Sequence, residues 1–503
     1  MSAHLGTYAA PRAHSAPHRF RPGRLWRWLV AIAAALLAAA FATAAPAHAA
    51  QSGVTQISTD PYTDHNGEHA TEVEPDTFTH GSTVVSAYQV GRIFNGGADD
   101  VGWSTSKNGG VSWTHGYLPS TTGASTPPGP FFGASDASVA YDAKHHAWII
   151  SWLGAHFSGG GVVDVMVSRS TDGGFTWSDP IAVAANGVFY DKNWSVCDNT
   201  PSSPFYGNCY TEFDNASSRD LELMSTSSDG GLTWGLPTPT ADAVHGLGGQ
   251  PVVQPNGRVV VPFEALGGEI RSFSSDNGGQ SWNASVLVSP ISYHRVAGNI
   301  RTSPLPSAEI NRDGTVYVAW QDARFEGGTA NDIVMSTSTD GATWSPVRRI
   351  PLDPVGSNTD HFVPGLAVDR NSAGGNTLLA LTYYFYPDAD CTVDTCQMEV
   401  GFASSTDNGQ TWSPHKTLAG PMQPTWLAPT TQGYMVGDYI STSFLAGQQR
   451  VIGAIAVGRP PAGGALNEPM FAASEKVRGG GLATGSGRTV PAGNGAPAPA
   501  TTF

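Results

Sequence analysis

Short runs of alternating apolar and polar residues recur along the whole chain, and Gly, Pro, Asn and Asp gather between them. Residues 138–141, 147–152, 164–168 and 181–184 are runs of this kind, and each reads as a strand. One turn pattern punctuates them: Ser, any residue, Asp or Asn, any residue, Gly, any residue, Thr or Ser, Trp. It appears as SKNGGVSW (106–113), STDGGFTW (170–177), SSDGGLTW (227–234), SDNGGQSW (275–282) and STDNGQTW (405–412), with a shortened copy, STDGATW, at 338–344. Successive Trp positions differ by 64, 57, 48, 62 and 68 residues, so the pattern marks a repeated structural unit. The physical content of the box is a hairpin turn. Asp172 can accept hydrogen bonds from turn amides, Gly173 or Gly174 can take positive φ, and Trp177 can pack beneath the reversal. Three strand-like runs precede each box and a fourth follows it, which predicts a four-stranded antiparallel unit of about 45–65 residues per repeat.

These boxes resemble the Asp-box, or BNR, repeats of the sialidase superfamily, and the resemblance spans about residues 52–412. It implies an all-β propeller in which the boxes are structural and lie on the outer rim. Residues 439–444, 451–457 and 470–474 read as three further strands with no box after them. A fourth strand for that sheet can come from residues 54–58, so that the ring closes by joining the two chain ends. The expected count is therefore seven blades. Sialidase catalytic domains have six, and six here would leave the C-terminal strands as an extension.

Composition narrows the setting. With 60 Gly, 36 Pro and 14 Trp in 503 residues, long helices are not expected to dominate, and the aromatic content suffices for a large core. Residues 1–50 hold five arginines and no acid, an apolar run over 29–45 and the small-residue exit Ala47-His48-Ala49, which reads as a cleavable export signal. Removing those five from 26 basic residues leaves 21 against 41 acidic ones, a balance of −20 that repels nucleic acid. The expected divisions are an export signal at 1–50, a propeller at 51–476 and a disordered Gly/Ala/Pro/Thr tail at 477–503. The mature chain is expected to be secreted, monomeric and free of the membrane. Cys197 with Cys209, and Cys391 with Cys396, are expected to form two local disulfides.

Propeller chemistry is expected where innermost strands begin and where second-to-third connections cross the channel. Glu74, Asp76, Asp136, Asp191, Lys192, Gln250, Arg301, Asp360, His361, Asp438 and Tyr439 fall at the first kind of position, and Arg92, His156, Glu264, Asp322, Arg324, Tyr383 and Tyr386 at the second. Such a polar, aromatic bowl suits a glycan. The sialidase resemblance implies hydrolysis of an acidic sugar, with Tyr439 as nucleophile, Glu264 as its partner, Asp136 as acid, and Arg92, Arg301 and Arg324 on the sugar carboxylate. His361 and Asp191 complete the expected substrate contacts. The Arg-Ile-Pro sequence that sialidases carry before the first innermost strand is missing, since Glu72-Val73-Glu74-Pro75 stands there and Arg92-Ile93-Phe94 comes later. Two other readings stand beside this one: a polysaccharide lyase using His361 and Tyr439, and a non-catalytic propeller that binds a glycan or a protein. The aromatic segment 189–214 is either a loop over the bowl or a long decorated hairpin. No cofactor is expected; calcium on Asp388, Asp390 and Asp394 is the weak alternative.

Overall fold

A computed structural model describes residues 53–158 and 161–483. Residues 1–50, where the export signal is expected, and 484–503 of the expected tail lie outside that range. Strands dominate: among the described residues the only helical elements are three short 3₁₀ turns, and no helix is long and apolar enough to cross a membrane.

Most strands pair antiparallel in sets of four; one set has five, because Gly246–Leu247 and Val252–Val253 both pair with Val259–Ala265, and two short pairs stand apart. Gly67–His80, Thr83–Ile93, Ala98–Ser106 and Thr114–Tyr117 form one set, and Gly133–Asp142, Ala147–Ala155, Val163–Ser170 and Ile181–Ala184 the next. A single pair, Ala98 with Ala134, joins these two into one eight-stranded sheet. Further sets open with Tyr190–Cys197, with Val252–Val253, with Ser307–Ile310 and with Asp360–Val368. The last runs Ser441–Phe444, Arg450–Ala456, Met470–Lys476, and its outermost strand is Val54–Gln56 from the other end of the chain, with Val54 opposite Ala473. Leu482–Ala483 pairs with Thr411–Trp412.

The opening strands contact one another in chain order, and Ser441–Phe444 contacts Gly67–His80. Their facing edges are joined through side chains. The amides of Val139, Ser195, Ala308 and Leu366 donate to Asp76 Oδ2 (2.7 Å), Ser138 Oγ (2.9 Å), Gln250 Oε1 (2.9 Å) and Ser307 Oγ (3.0 Å) of the preceding opening strand. Thr77 Oγ1 meets Ser443 Oγ at 2.9 Å.

Each box is a closed local network. Ser170 Oγ donates to Asp172 Oδ1 (2.8 Å) and accepts from Gly174 N; the amides of Phe175 and Thr176 also donate to Asp172 Oδ1. Burial alone would raise the Asp172 carboxyl, but its hydrogen bonds from Thr176, Ser170 and Phe175 outweigh that and hold it at about 2. The box turn docks on the second and third strands of the preceding set. Gly174 O accepts from Thr105 Oγ1 at 2.8 Å, and Trp344 Nε1 donates to Ser272 Oγ at 3.0 Å. Gly110, in the first box, lies against Ile452 of the last set. The apolar core is correspondingly divided into several clusters; one, between the first two sets, gathers Val85, Val101 and Trp103 with Val139, Trp148 and Trp152.

Both disulfides are local, Cys197–Cys209 and Cys391–Cys396. Segment 189–214 is the decorated hairpin: Cys197 stands opposite Cys209 in the pairing of Tyr190–Cys197 with Cys209–Asn215.

Gly174 (φ 84°) tests the docking of the boxes, because a Cβ there would collide with Thr105 and Val85, whereas Gly187 (φ 74°) faces open space. Gly187→Ala should cost about 1 kcal/mol from left-handed strain alone. Gly174→Ala should cost about 2–3 kcal/mol in denaturant unfolding. Equal losses would mean that the turn does not hold the neighbouring sheet.

Candidate functional site

Four opening strands carry a bulge with a non-glycine residue at positive φ: Glu74 (54°), Asp136 (48°), Lys192 (50°) and Val363 (49°). A bulge re-aims a side chain that the pleat would otherwise point into a sheet face. At three of the four it delivers a charge to one place, where Glu74, Asp136 and Lys192 meet. The fourth residue, Val363, is apolar.

Lys192 is the hub. Its Nζ lies 2.5 Å from Asp438 Oδ2, 3.3 Å from Asp136 Oδ1 and 3.7 Å from Glu74 Oε1, and its side chain is 3% exposed. Arg301 grips the same Asp438 with a fork, Nε to Oδ1 at 2.9 Å and Nη2 to Oδ2 at 2.5 Å. The segment carrying Arg301 is seated by backbone pairing, Arg301 N donating to Tyr434 O at 2.7 Å. Asp438 N donates to Glu74 Oε1 at 3.2 Å, and Gln89 Nε2 donates to Glu74 Oε2.

These charges fix one another. Burial would raise Asp438, but Arg301 and Lys192 outweigh it and hold the carboxylate well below its usual range. Burial would lower Lys192, but Asp136, Asp438 and Glu74 keep it firmly protonated. Glu74 is pushed up to about 7, by burial first and Asp136 second, so it exchanges a proton near neutrality.

Tyr439 sits beside this network. Its hydroxyl donates to Ala137 O at 3.3 Å, and Trp194 meets its ring edge-on at 5.0 Å. Burial raises the phenol well above its ordinary value, and its carboxylate neighbours, in order, are Glu74, Asp136, Asp76 and Asp438. A small cavity lined by Lys192, Trp194, Gln250, Leu305 and Tyr439 opens here, and Trp194 is only partly buried.

The residues singled out in the sequence therefore separate into groups. Asp136, Asp191, Arg301 and Tyr439 converge with Lys192. Arg92 is electrostatically close to Arg301, but its guanidinium donates to the carbonyls of Ile93 and Gly97. Arg324 folds back on Asp322 and on Ser289 and Pro290, so the three arginines do not form one carboxylate clamp. Glu264 is buried and pushed up to about 8, by burial first and Asp438 second; Glu74 and Asp136, rather than Glu264, attend Tyr439. His361 lies between Tyr383 and Phe385, with Nδ1 3.3 Å from Asn331 O, and burial lowers its pKa. Asp388 and Asp390 both accept from the Asn358 side-chain amide, so a protein donor already stands where calcium was considered.

Sequence reasoning singled out Asp191 but passed over the acids that stand in a row with it behind Lys192. Asp191, Asp214 and Glu222 stand directly opposite one another across three strands, and Glu212 projects from the same strand as Asp214, two residues before it. Burial pushes Glu212, Asp214 and Asp191 well above their ordinary values and Glu222 to about 7, and acidic neighbours add to it, Glu222 acting on Glu212, Asp191 on Asp214, Asp136 on Asp191 and Asp220 on Glu222. The cue available in the sequence was polar alternation in YTEFD and LELM, which marks one face of each strand.

A carboxyl raised in the folded state makes the native protein bind more protons than the unfolded chain, so stability falls as pH climbs from the unfolded value of about 4 through the folded one. Glu74, Glu222 and Glu264 place that decline between about pH 5 and 8. Asp438 works in the opposite sense, but its contribution is lost only on acidification below about pH 4. Thermal unfolding should give a lower Tm at pH 8 than at pH 5, and Glu264→Gln should shrink the difference, since the amide never ionises; a flat profile contradicts this. Lys192→Met strands Asp438, Asp136 and Glu74 together and should cost about 3–5 kcal/mol in denaturant unfolding.

No protein-family model matches the chain, and no curated protein matches it. Among solved structures it is similar to a protein of unknown function from Dyadobacter fermentans (15% identity, 85% of this chain, 100% of that one, TM-score 0.44). It is similar also to the NanB sialidase from Streptococcus pneumoniae (14% identity, 84% and 71%, TM-score 0.45) and to an N-acetylgalactosamine deacetylase from F. plautii (16% identity, 71% and 94%, TM-score 0.40). At these identities and scores the likenesses assign no chemistry to this chain.

Proposed function

We propose that the chain is an exported, seven-bladed, sialidase-like propeller, spanning residues 51–476, that hydrolyses acidic-sugar glycans from their ends at the mouth of its axial channel. The count of seven is supported by the cyclic contacts of the opening strands and by the pairing of Val54–Gln56 with Met470–Lys476. Export is supported by the Arg-rich, Ala-rich start and by the two disulfides.

The observation that carries the reading is a tyrosine hydroxyl among carboxylates with cations behind them: Tyr439 beside Glu74 and Asp136, backed by Lys192 and Arg301. A phenol raised by burial does not ionise by itself near neutrality, so a base must take its proton, and Glu74 at about 7 is matched to that exchange. Tyr439 Oη attacks the anomeric carbon while its proton passes to Glu74, and Asp136 protonates the departing glycosidic oxygen. Water then attacks the same carbon, giving its proton to Asp136, and Glu74 returns its proton to the phenolate. Trp194 offers a ring face or edge to the sugar.

One observation favours a second reading. Arg301 and Lys192 are already paired with Asp438, and Arg324 is held elsewhere, which suits recognition of a glycan without cleavage. Release of sugar from a sialoside by the purified protein separates the two. Under hydrolysis, Tyr439→Phe should lower kcat by at least about 1000-fold and Glu74→Gln by about 100-fold, while Glu264→Gln stays within about threefold. Binding to a glycan array with no product from any acidic-sugar glycoside would support the second reading and overturn the first.

A further inference from the structure

The connector between Val54–Gln56 and Gly67–His80 carries Asp60, Asp64 and, just inside the strand, His69. It passes over Asp99, in the strand Ala98–Ser106 of the same set. One ligand atom each from Asp64, His69 and Asp99 lies within 4.8 Å of the other two. Nδ1 of His69 stands 3.5 Å from Asp60 Oδ2 and 3.7 Å from Asp99 Oδ2.

The tautomer of His69 is set by its other nitrogen. Nε2 lies 2.6 Å from the Asp64 carbonyl oxygen, which only accepts, so Nε2 carries the proton. In the neutral ring Nδ1 is then a bare lone pair facing two carboxylate oxygens. Its separations from them exceed a normal hydrogen bond, but two ligand atoms about 2.1 Å from a tetrahedral ion stand about 3.4 Å apart. A backbone carbonyl holding the far N–H of an imidazole is also the usual support for a metal-bound histidine.

Asp99 is the second, independent observation. It is 2% exposed, and its Oδ2 is buried without a hydrogen-bond donor. Gly67 and Gly91 cradle this oxygen, and a Cβ at either would overlap it. A divalent cation at the same point would satisfy this oxygen. Asp60 keeps its place through amides: Tyr62 N donates to Oδ1 at 2.9 Å and Ala70 N to Oδ2 at 2.7 Å.

We propose that Asp64, His69 and Asp99, with Asp60 Oδ2 beside them, bind one divalent cation of the zinc class. Nitrogen with carboxylate oxygen at this spacing suits zinc better than calcium, which takes six to eight oxygens. The ion would tie the connector between the two chain ends to the first four-strand set, so its loss loosens the join made by Val54–Gln56. The site is separate from Tyr439 and does not depend on the proposed hydrolysis.

The test uses the purified protein, stripped with a chelator and titrated with zinc or calcium chloride by calorimetry, with thermal unfolding alongside. Zinc should bind at one equivalent, raise Tm in a concentration-dependent way, and exceed calcium in affinity by at least about 10-fold. Asp99→Asn and His69→Ala should weaken zinc by at least about 100-fold, and Asp64→Asn, at an exposed position where folding is safe, by at least about 10-fold. Absence of zinc binding to the stripped protein, tighter binding of calcium, or zinc affinity unchanged in Asp64→Asn would overturn the assignment.

Discussion

An opening strand has a ladder partner on one side, and on the other at most a single pair such as Ala134 with Ala98. Its other edge presents amides that must find acceptors, because a buried N–H without one costs about 1–3 kcal/mol. Asp76, Ser138, Gln250 and Ser307 supply those acceptors to the next opening strand. A side chain spans more distance than a backbone carbonyl, so the opening strands stand further apart than paired strands would. Apolar clusters fill the space between neighbouring sets.

The same edges explain where the charges go. A bulge interrupts the pairing of an opening strand just before the side-chain bonds begin, and the bulged residue turns toward the axis. With Glu74, Asp136 and Lys192 in those positions, the channel mouth needs compensating partners, and Asp438 and Arg301 arrive from segments far along the chain. Buried ion pairs of this kind rarely add net stability, but they penalise any arrangement in which one partner is missing. The network thereby specifies how the late segments 299–301 and 433–438 seat against the early strands.

Neutral acids set the electrostatic background. The row Asp191, Asp214 and Glu222, with Glu212, would carry a prohibitive charge if ionised, and burial keeps these groups protonated over the range in which surface carboxylates are charged. Lys192 therefore answers mainly to Asp136, Asp438 and Glu74, and Glu74 is left as the group near Tyr439 that titrates close to neutrality.

What could be read from the chain alone was whatever closes within a few residues. The bonds from Ser170, Gly174, Phe175 and Thr176 converge on one box, so six copies of its letters announce six copies of its turn. The disulfides, at separations of 12 and 5, and the strand runs are local in the same sense. The site is not. Lys192 meets Asp136 across 56 residues and Asp438 across 246, and Arg301 meets that same Asp438 across 137. Glu264 and His361 occupy the expected kind of position, yet bulges and packing decide which side chains reach the axis. Local hydrogen-bond geometry is written in adjacent letters, whereas the meeting of charges is decided only when the sheets pack against one another.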